Sequence, residues 1–335
     1  MNDSVRHDHD LTRSNTLGLP CRAERFAAPG TVGQLRRLLQ RAAAQGWPVT
    51  LLGGGSNLIL PQRLSGLVIQ PALKHWWLER QGSAVRLHVG AGVEWHQLVM
   101  TLAARGLWGT ENLALIPGHC GAAPIQNIGA YGVELCELVE AVHVVFVEDG
   151  RSALLTVEEC AFGYRDSIFK GELEGRVVIT GLTLRLGRDA APRLSYGDLA
   201  QRVGPGPTPL EVAEAVCAIR REKLPDPAEL GNAGSFFKNP IVKREMAERL
   251  LAAWPDMPRF ELADGQVKLA AGWLIDRCGL KGWCSGHFGV HGRQALVLVH
   301  FGNGNAEELL AFADAVAERV RERFGVVLER EPRLA

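Results

Sequence analysis

Apolar and polar positions change period several times along the chain, and each period predicts an element. Over residues 31–45, Val32, Leu35, Leu38 and Leu39 recur at helical spacing, Thr31 and Gln34 form a capping box, and Gly46 ends the pattern. A short strand, PVTLL, runs into the turn GGGSN, and residues 67–70 read as another strand. In VRLHV, Val85, Leu87 and Val89 alternate with Arg86 and His88, the pattern of a half-buried strand. Residues 95–105 read as a helix closed by Gly106. AVHVVFV and SALLTV are strands joined by Glu148, Asp149 and Gly150, a hairpin signal, and VVITGLTLRL is a further strand that ends the first large unit near Gly187. The linker GPGPTP leads into a helix start built from Thr208, Pro209 and Glu211. Helices over 243–253, 268–278 and 305–324, a strand over 295–299 and a short apolar strand of Val326, Val327 and Leu328 complete an α+β last third.

Residues 116–132, IPGHCGAAPIQNIGAYG, fit neither period. The segment holds four Gly and two Pro with no acidic residue, too few charges for a solvent loop, and reads as backbone laid against a ligand. Composition then narrows the choice. At 335 residues the chain is long enough for two or three domains, and its 47 % hydrophobic content excludes overall disorder. Thirty-seven basic residues balance 37 acidic ones, which argues against a protein that grips nucleic acid. No apolar run reaches the roughly 20 residues of a membrane-spanning helix, so no membrane insertion is expected. The first 14 residues read as a flexible polar tail without a signal peptide. The seven cysteines are odd in number and scattered, which excludes a disulfide framework or zinc ribbon and points to the cytoplasm.

Several motifs fail. VGAGVEW lacks the third glycine of a dinucleotide fingerprint, and GGGSN lacks the Lys-Ser/Thr ending of a Walker loop. Two S-x-x-K pairs, Ser167/Lys170 and Ser235/Lys238, have neither S-D-N nor K-T-G beside them. His7 and His9 alternate with Asp in the tail, where a solvated reading outweighs a metal site, and no metal is expected. Glycine turns with free backbone amides are anion cradles. Gly53, Gly54, Gly55, Ser56 and Asn57 can hold a pyrophosphate, and Gly118, Gly121, Asn127, Gly129 and Gly132 can wall the same site. Each turn alone is explained by chain reversal; the two together favour a dinucleotide cofactor. In GNAGSFFKNP, Ser235 stands beside Phe236 and Phe237, a hydroxyl placed to transfer a proton where water is excluded, although a capped turn packing two Phe explains the segment taken alone.

With GYRDSIFK, KLPDP, AGWLID and QALVLV, these segments resemble in order those of the UDP-N-acetylenolpyruvoylglucosamine reductase (MurB) family of peptidoglycan synthesis, over about residues 15–333. The resemblance implies an α+β protein: a two-subdomain FAD-binding fold of the vanillyl-alcohol-oxidase/p-cresol-methylhydroxylase type plus a C-terminal α+β substrate-binding domain. The expected boundaries are a tail over 1–14, FAD-binding subdomains over 15–71 and 72–207 (the FAD-binding unit about 15–187), and a substrate domain over 208–335 whose last residues return to the active site. The segment LSYGDL, with Tyr196, resembles the substrate-covering loop of the family's type I branch. By motif position, Ala122, Gln126, Ala130 and Tyr131 join the FAD site. Ser235 is implied as proton donor, Arg165 and Glu331 as the pair that stabilises the substrate carboxylate, and Tyr164, Tyr196, Lys223, Asn239 and Gln294 as substrate contacts. The implied reaction is reduction of UDP-N-acetylglucosamine enolpyruvate to UDP-N-acetylmuramate through non-covalent FAD, with NADPH as donor, by a cytoplasmic monomer that serves cell-wall growth and, through it, cell shape and division. Two departures stand out: His119 and Cys120 replace small or apolar residues, and Pro332 follows Glu331 where Val is usual. The alternative is a flavin oxidase or dehydrogenase of the same fold acting on a hydroxylated substrate; GGGSNL offers it no His or Cys for a flavin tether.

Overall fold

In the computed structural model, which describes residues 4–82, 84–189, 191–262 and 264–335, the helix expected at 31–45 spans Val32–Ala44. Thr31 Oγ1 accepts from the Gln34 amide at 3.2 Å, and Gln34 Oε1 accepts from the Gly30 amide at 2.9 Å, so the cap reaches one residue further back than a capping box. Leu35, Leu38, Leu39 and Ala42 face inward, and Gly46 takes a left-handed φ of 64° beyond the helix end.

The chain divides into two compact units. The first comprises residues 4–10, Arg22–Gly55 and Arg63–Glu222. Its smaller sheet orders Arg6–Asp10, Arg22–Ala27, Arg63–Ile69 and Val49–Leu51, with the last three strands parallel. Its larger sheet is antiparallel, in the order Ser152–Leu155, Val139–Phe146, Val177–Gly187, Ala84–Gly90 and Trp76–Gln81. Two apolar clusters result. One joins the Val32–Ala44 helix to Leu67, Ile69, Val145 and Val178. The other packs Val85, Leu87 and Val89 with Trp95, Leu98 and Val99 of the Trp95–Ala104 helix and Val212, Val216 and Ile219 of the Pro209–Lys223 helix. The alternation read in VRLHV is the reason its odd-numbered side chains reach this core.

The second unit comprises Leu11–Cys21, Ser56–Gln62 and Lys223–Ala335. An antiparallel sheet orders Gly231–Ser235, Val297–His300, Phe288–Val290 and Cys284–Ser285. The Ala306–Phe324 helix, capped by Asn305 and ended by Gly325 at φ 69°, packs Leu309, Phe312, Val316 and Val320 with Phe288 and Leu298.

Five expectations need correction. Residues 6–10, expected within a flexible tail, form a strand against Arg22–Ala27, with Asp8 paired to Arg22 at 2.8 Å and His9 packed on Phe26. Sequence patterning missed it because its polar side chains show no apolar alternation. The helix expected over 268–278 is Ala271–Arg277, and Val267–Leu269 is a strand whose two apolar residues flank an outward Lys268. Val326, Val327 and Leu328 form no strand; the C-terminal strand is Arg333–Leu334, parallel to Leu58–Ile59. The first unit runs on past Gly187 to Glu222, because the apolar face of the Pro209–Lys223 helix is buried in the first unit's core, so the second unit takes up the chain at Lys223 and not at 208. Residues 11–14, expected in the tail, and residues 15–21 and 56–62, expected in an FAD-binding subdomain, pack with the second unit, where Asn15 Nδ2 donates to the carbonyls of Leu11, Thr12 and Leu19.

Candidate active site

Two glycine-rich segments expected to share a site meet in the first unit. A Cβ on Gly54 would lie 2.7 Å from Gly118 Cα, and one on Gly53 would lie 3.3 Å from Ala122 Cβ. Only glycine at position 54 lets the backbones approach so closely. Among the described residues, the amides of Gly53, Gly54, Gly55, Gly118 and His119 donate to no protein group. Such a run of unused amides is suited to phosphate oxygens, so the residues present fit the diphosphate of FAD. Ser56 and Asn57, expected in the same cradle, belong to the second unit.

The 116–132 segment is anchored by the turn after the Ala84–Gly90 strand. Trp95 N donates to Gly118 O at 2.9 Å, Cys120 N to Val93 O at 2.8 Å, and Gly121 N to Ala91 O at 2.9 Å. VGAGVEW, which fails as a dinucleotide motif, therefore has a structural task. A Cβ on Gly90 would meet Leu73 O at 2.3 Å and one on Gly92 would meet Pro71 O at 2.6 Å. Cys120 is fully buried, and burial pushes its thiol up, away from the reactive thiolate. His119 is partly buried with an unpartnered Nδ1, and burial lowers its pKa.

Further along, Asn127 has no exposed surface. Its Nδ2 donates to Glu134 Oε2 at 2.9 Å and to Gly163 O at 3.1 Å, while its Oδ1 accepts from Cys136 N at 2.9 Å. Its amide hydrogens are thus spent on shaping the loop, not offered to a cofactor. Gly129 and Ala130 pair with Val133 and Glu134, Tyr131 takes a positive φ of 49°, and Gly132 approaches Tyr196, whose ring meets the Tyr131 ring edge-on at 5.7 Å. Tyr196 itself is half exposed. Arg165 also has a left-handed φ, 54°, and its Nη2 donates to Gly129 O at 2.9 Å. Lys170 Nζ donates to Arg165 O at 2.9 Å, and the guanidinium lies over the Tyr164 ring. A strained backbone held by bonds on both sides fixes where this guanidinium is presented.

The second unit carries the remaining residues. Ser235 is exposed at the end of the Gly231–Ser235 strand, after Gly234 at φ 69°. Next to it, Phe236 N donates to Leu296 O at 2.7 Å, and Phe236 O accepts from Glu331 N at 2.9 Å. The Glu331 carbonyl accepts from Asn57 Nδ2 at 3.2 Å. Ser235 and Glu331 are therefore brought together through one intervening peptide. Glu329, two residues before Glu331, pairs with Lys238 at the surface. Asn239 Oδ1 accepts from Ala271 N at 3.0 Å, and Gln294 Oε1 from Leu296 N at 3.3 Å, which orients both amides. Lys223 is exposed at the end of its helix. Gln126, Ala122 and Gly121 lie in the glycine-rich segment of the first unit. Sequence reasoning passed over Arg220, whose one signal is a charge at an inward position of the Pro209–Lys223 helix.

Among the described residues no cluster of His, Cys, Asp and Glu can hold a metal, and no helix is long and apolar enough to cross a membrane. Residues 23–154 match an FAD-binding domain family, and residues 226–335 match the family described as UDP-N-acetylenolpyruvoylglucosamine reductase, C-terminal domain. The chain is 50 % identical over 333 residues to the UDP-N-acetylenolpyruvoylglucosamine reductase of Chromobacterium violaceum, covering 98 % of each chain. It is 46 % identical to that of Escherichia coli K12, covering 97 % of this chain and 95 % of the relative. The crystal structure of the reductase (MurB) from Thermus caldophilus superimposes with a TM-score of 0.67 at 26 % identity, covering 100 % of this chain and 99 % of the other. The unused glycine amides, the exposed Ser235 and the backbone bond that holds Glu331 beside it thus sit in a chain that belongs to the UDP-N-acetylenolpyruvoylglucosamine reductase (MurB) family, with an FAD-binding domain and a C-terminal domain.

Proposed function

We propose that this chain reduces UDP-N-acetylglucosamine enolpyruvate to UDP-N-acetylmuramate in peptidoglycan precursor synthesis, with NADPH as hydride donor. The observation that carries the assignment of roles is the exposed Ser235 hydroxyl, one peptide from the backbone bond that holds Glu331. When bound, FAD supplies the hydride that NADPH has given it to the enolpyruvyl double bond. Negative charge then builds on the neighbouring carbon and its carboxylate. Arg165, rigidly presented by the Gly129 carbonyl and its own left-handed backbone, opposes that charge. The Ser235 hydroxyl donates a proton to the carbon, and the Glu331 carboxyl completes the site.

Tyr164, Tyr196, Lys223, Asn239 and Gln294 bind the nucleotide sugar in this reading. Lys223 suits the phosphates, and the amides of Asn239 and Gln294 keep their NH2 groups for acceptors on the ligand. In this reading the two apolar clusters of the first unit are the cores of two FAD-binding subdomains and the second unit binds substrate, a division supported by the separate clusters and units. The enzyme works in the cytoplasm as a monomer, binds no nucleic acid, and bears on cell shape and division through wall growth. The test is direct. The purified protein should be yellow, with colour released by acid. Without the enolpyruvyl nucleotide NADPH should reduce the flavin once and stop, and with it NADPH should be consumed in continuous turnover, with parallel double-reciprocal lines because both substrates use one flavin. Oxygen consumption with a hydroxylated substrate and no NADPH requirement would instead identify a flavin oxidase.

A further inference from the structure

The Pro209–Lys223 helix turns Val212, Val216, Cys217 and Ile219 into the core of the first unit. Arg220 follows Val216 by four residues and Cys217 by three, so it shares their side of the helix. Its Nε is sealed from solvent without a hydrogen-bond partner, and among the described residues no carboxylate pairs with its guanidinium. The groups within electrostatic range include the Tyr131 phenol, the Cys217 thiol, the His96 ring and a second cation, Arg165. Burial raises the pKa of both the phenol and the thiol, which keeps them neutral and unable to balance the charge. A guanidinium does not escape by losing its proton at physiological pH. An unpaired buried cation that also lies within electrostatic range of another cation is strongly unfavourable, and an anion received beside Arg220 offsets that cost.

Two oxygens with several lone pairs let one carboxylate accept from two guanidinium forks. The unused amides of Gly53, Gly54 and Gly55 suit the diphosphate of FAD, whereas Arg165 donates to the Gly129 carbonyl and Arg220 lies within electrostatic range of Arg165 and Tyr131. We infer that Arg220 is a second carboxylate-binding residue, holding with Arg165 the anionic end of the enolpyruvyl nucleotide; this rests on the function proposed above.

The experiment compares two ligands of the FAD-loaded enzyme by titration calorimetry. UDP-N-acetylmuramate carries the carboxylate and UDP-N-acetylglucosamine does not. In Arg220→Gln, affinity for UDP-N-acetylmuramate should fall by about 10–100-fold, as for loss of a charge-assisted hydrogen bond, while affinity for UDP-N-acetylglucosamine stays within about twofold. Arg220→Lys, which keeps the charge but not the fork, should recover part of the difference and serves if the Gln variant does not fold. Equal losses for both ligands would make Arg220 merely structural. An unchanged ratio with weaker FAD binding or a shifted flavin potential would give it to the cofactor. Either result overturns the inference. If the unaltered enzyme binds neither nucleotide sugar, the functional reading fails, and the inference with it.

Discussion

Ser235 and Glu331 illustrate what single residues reveal. Ser235 was legible because GNAGSFFKNP places it after a glycine and before two aromatic residues, and the structure gives it the exposed end of a strand. Ser235→Ala should still accept hydride from NADPH at the parent rate, since that half-reaction needs no proton for the sugar carbon. Reoxidation by the enolpyruvyl nucleotide should slow by ~10²–10⁴-fold, read by stopped-flow absorbance. An unslowed reoxidation would remove Ser235 from the proton path. Glu331 and Glu329 were harder to separate by sequence, because both lie in one charged stretch. Their surroundings differ: the Glu329 side chain is 71 % exposed and paired with Lys238, while the Glu331 backbone is tied to Phe236 and Asn57. Glu331→Gln should lower turnover by about 10²-fold or more, and Glu329→Gln should leave it unchanged. The reverse pattern would move the role to Glu329. Asn127 and Arg220 show the limit. A sequence states which polar group is present but not whether its hydrogens turn toward the backbone, as in Asn127, or stay unused, as in Arg220.

At the scale of elements, legibility followed the strength of the period. The Val32–Ala44, Trp95–Ala104 and Ala306–Phe324 helices keep a long apolar stripe and lie close to their expected bounds. The 267–277 stretch switches from period two to helical period in the middle, so one helix was read where a strand and a shorter helix stand. The glycine turns were visible as composition, but their purpose is a pair of chain crossings that no local pattern encodes. One is the approach of Gly54 to Gly118, and the other is Gly90 and Gly92 passing under residues 71–73. Gly54→Ala would place a methyl group 2.7 Å from Gly118 Cα, where neither backbone has a flexible end to yield. Overpacking of this kind typically costs about 1–3 kcal/mol. The variant should purify with well under one FAD per chain and a lowered Tm, measured by the flavin-to-protein absorbance ratio and by calorimetry. Full FAD occupancy at the parent Tm would show that the crossing is not tight.

For the whole molecule, the number of compact units could be expected from length, but their chain paths could not. Residues 11–21 and 56–62 leave the first unit's sequence to pack in the second, and the Pro209–Lys223 helix stays with the first after a Gly/Pro linker that looked like a boundary. Both follow from long-range burial, which local punctuation does not report. The same burial sets the pH response of stability. His96, His119, His143 and His291 all have pKa values lowered from 6.5, with desolvation as the first cause in each. His143 faces Thr183 Oγ1 at 2.9 Å, and its lowered pKa comes first from burial. In the unfolded chain these rings bind protons near pH 6.5; in the folded chain they bind them only at lower pH. Above pH 7 both states are neutral at these sites and stability should be flat. As pH falls through 6.5, the unfolded state takes up protons first and stability should decline until the folded rings also titrate. The carboxyls of Glu211 and Glu308, lowered from 4.5 by bonds to Thr208 and His287, lose their contribution only further down, while the buried Glu111 carboxyl, raised from 4.5, binds a proton first in the folded chain and offsets part of the decline, so the net fall between pH 6.5 and about 5 is the excess of the four histidines over this one carboxyl. Calorimetric Tm values at one low ionic strength should therefore hold from pH 8 to 7 and drop between 6.5 and 5. His143→Gln should make that drop shallower, since its amide can keep the Thr183 contact without a titrating group. A level Tm across the interval would mean that folded and unfolded chains protonate these rings alike, against the burial that defines their surroundings.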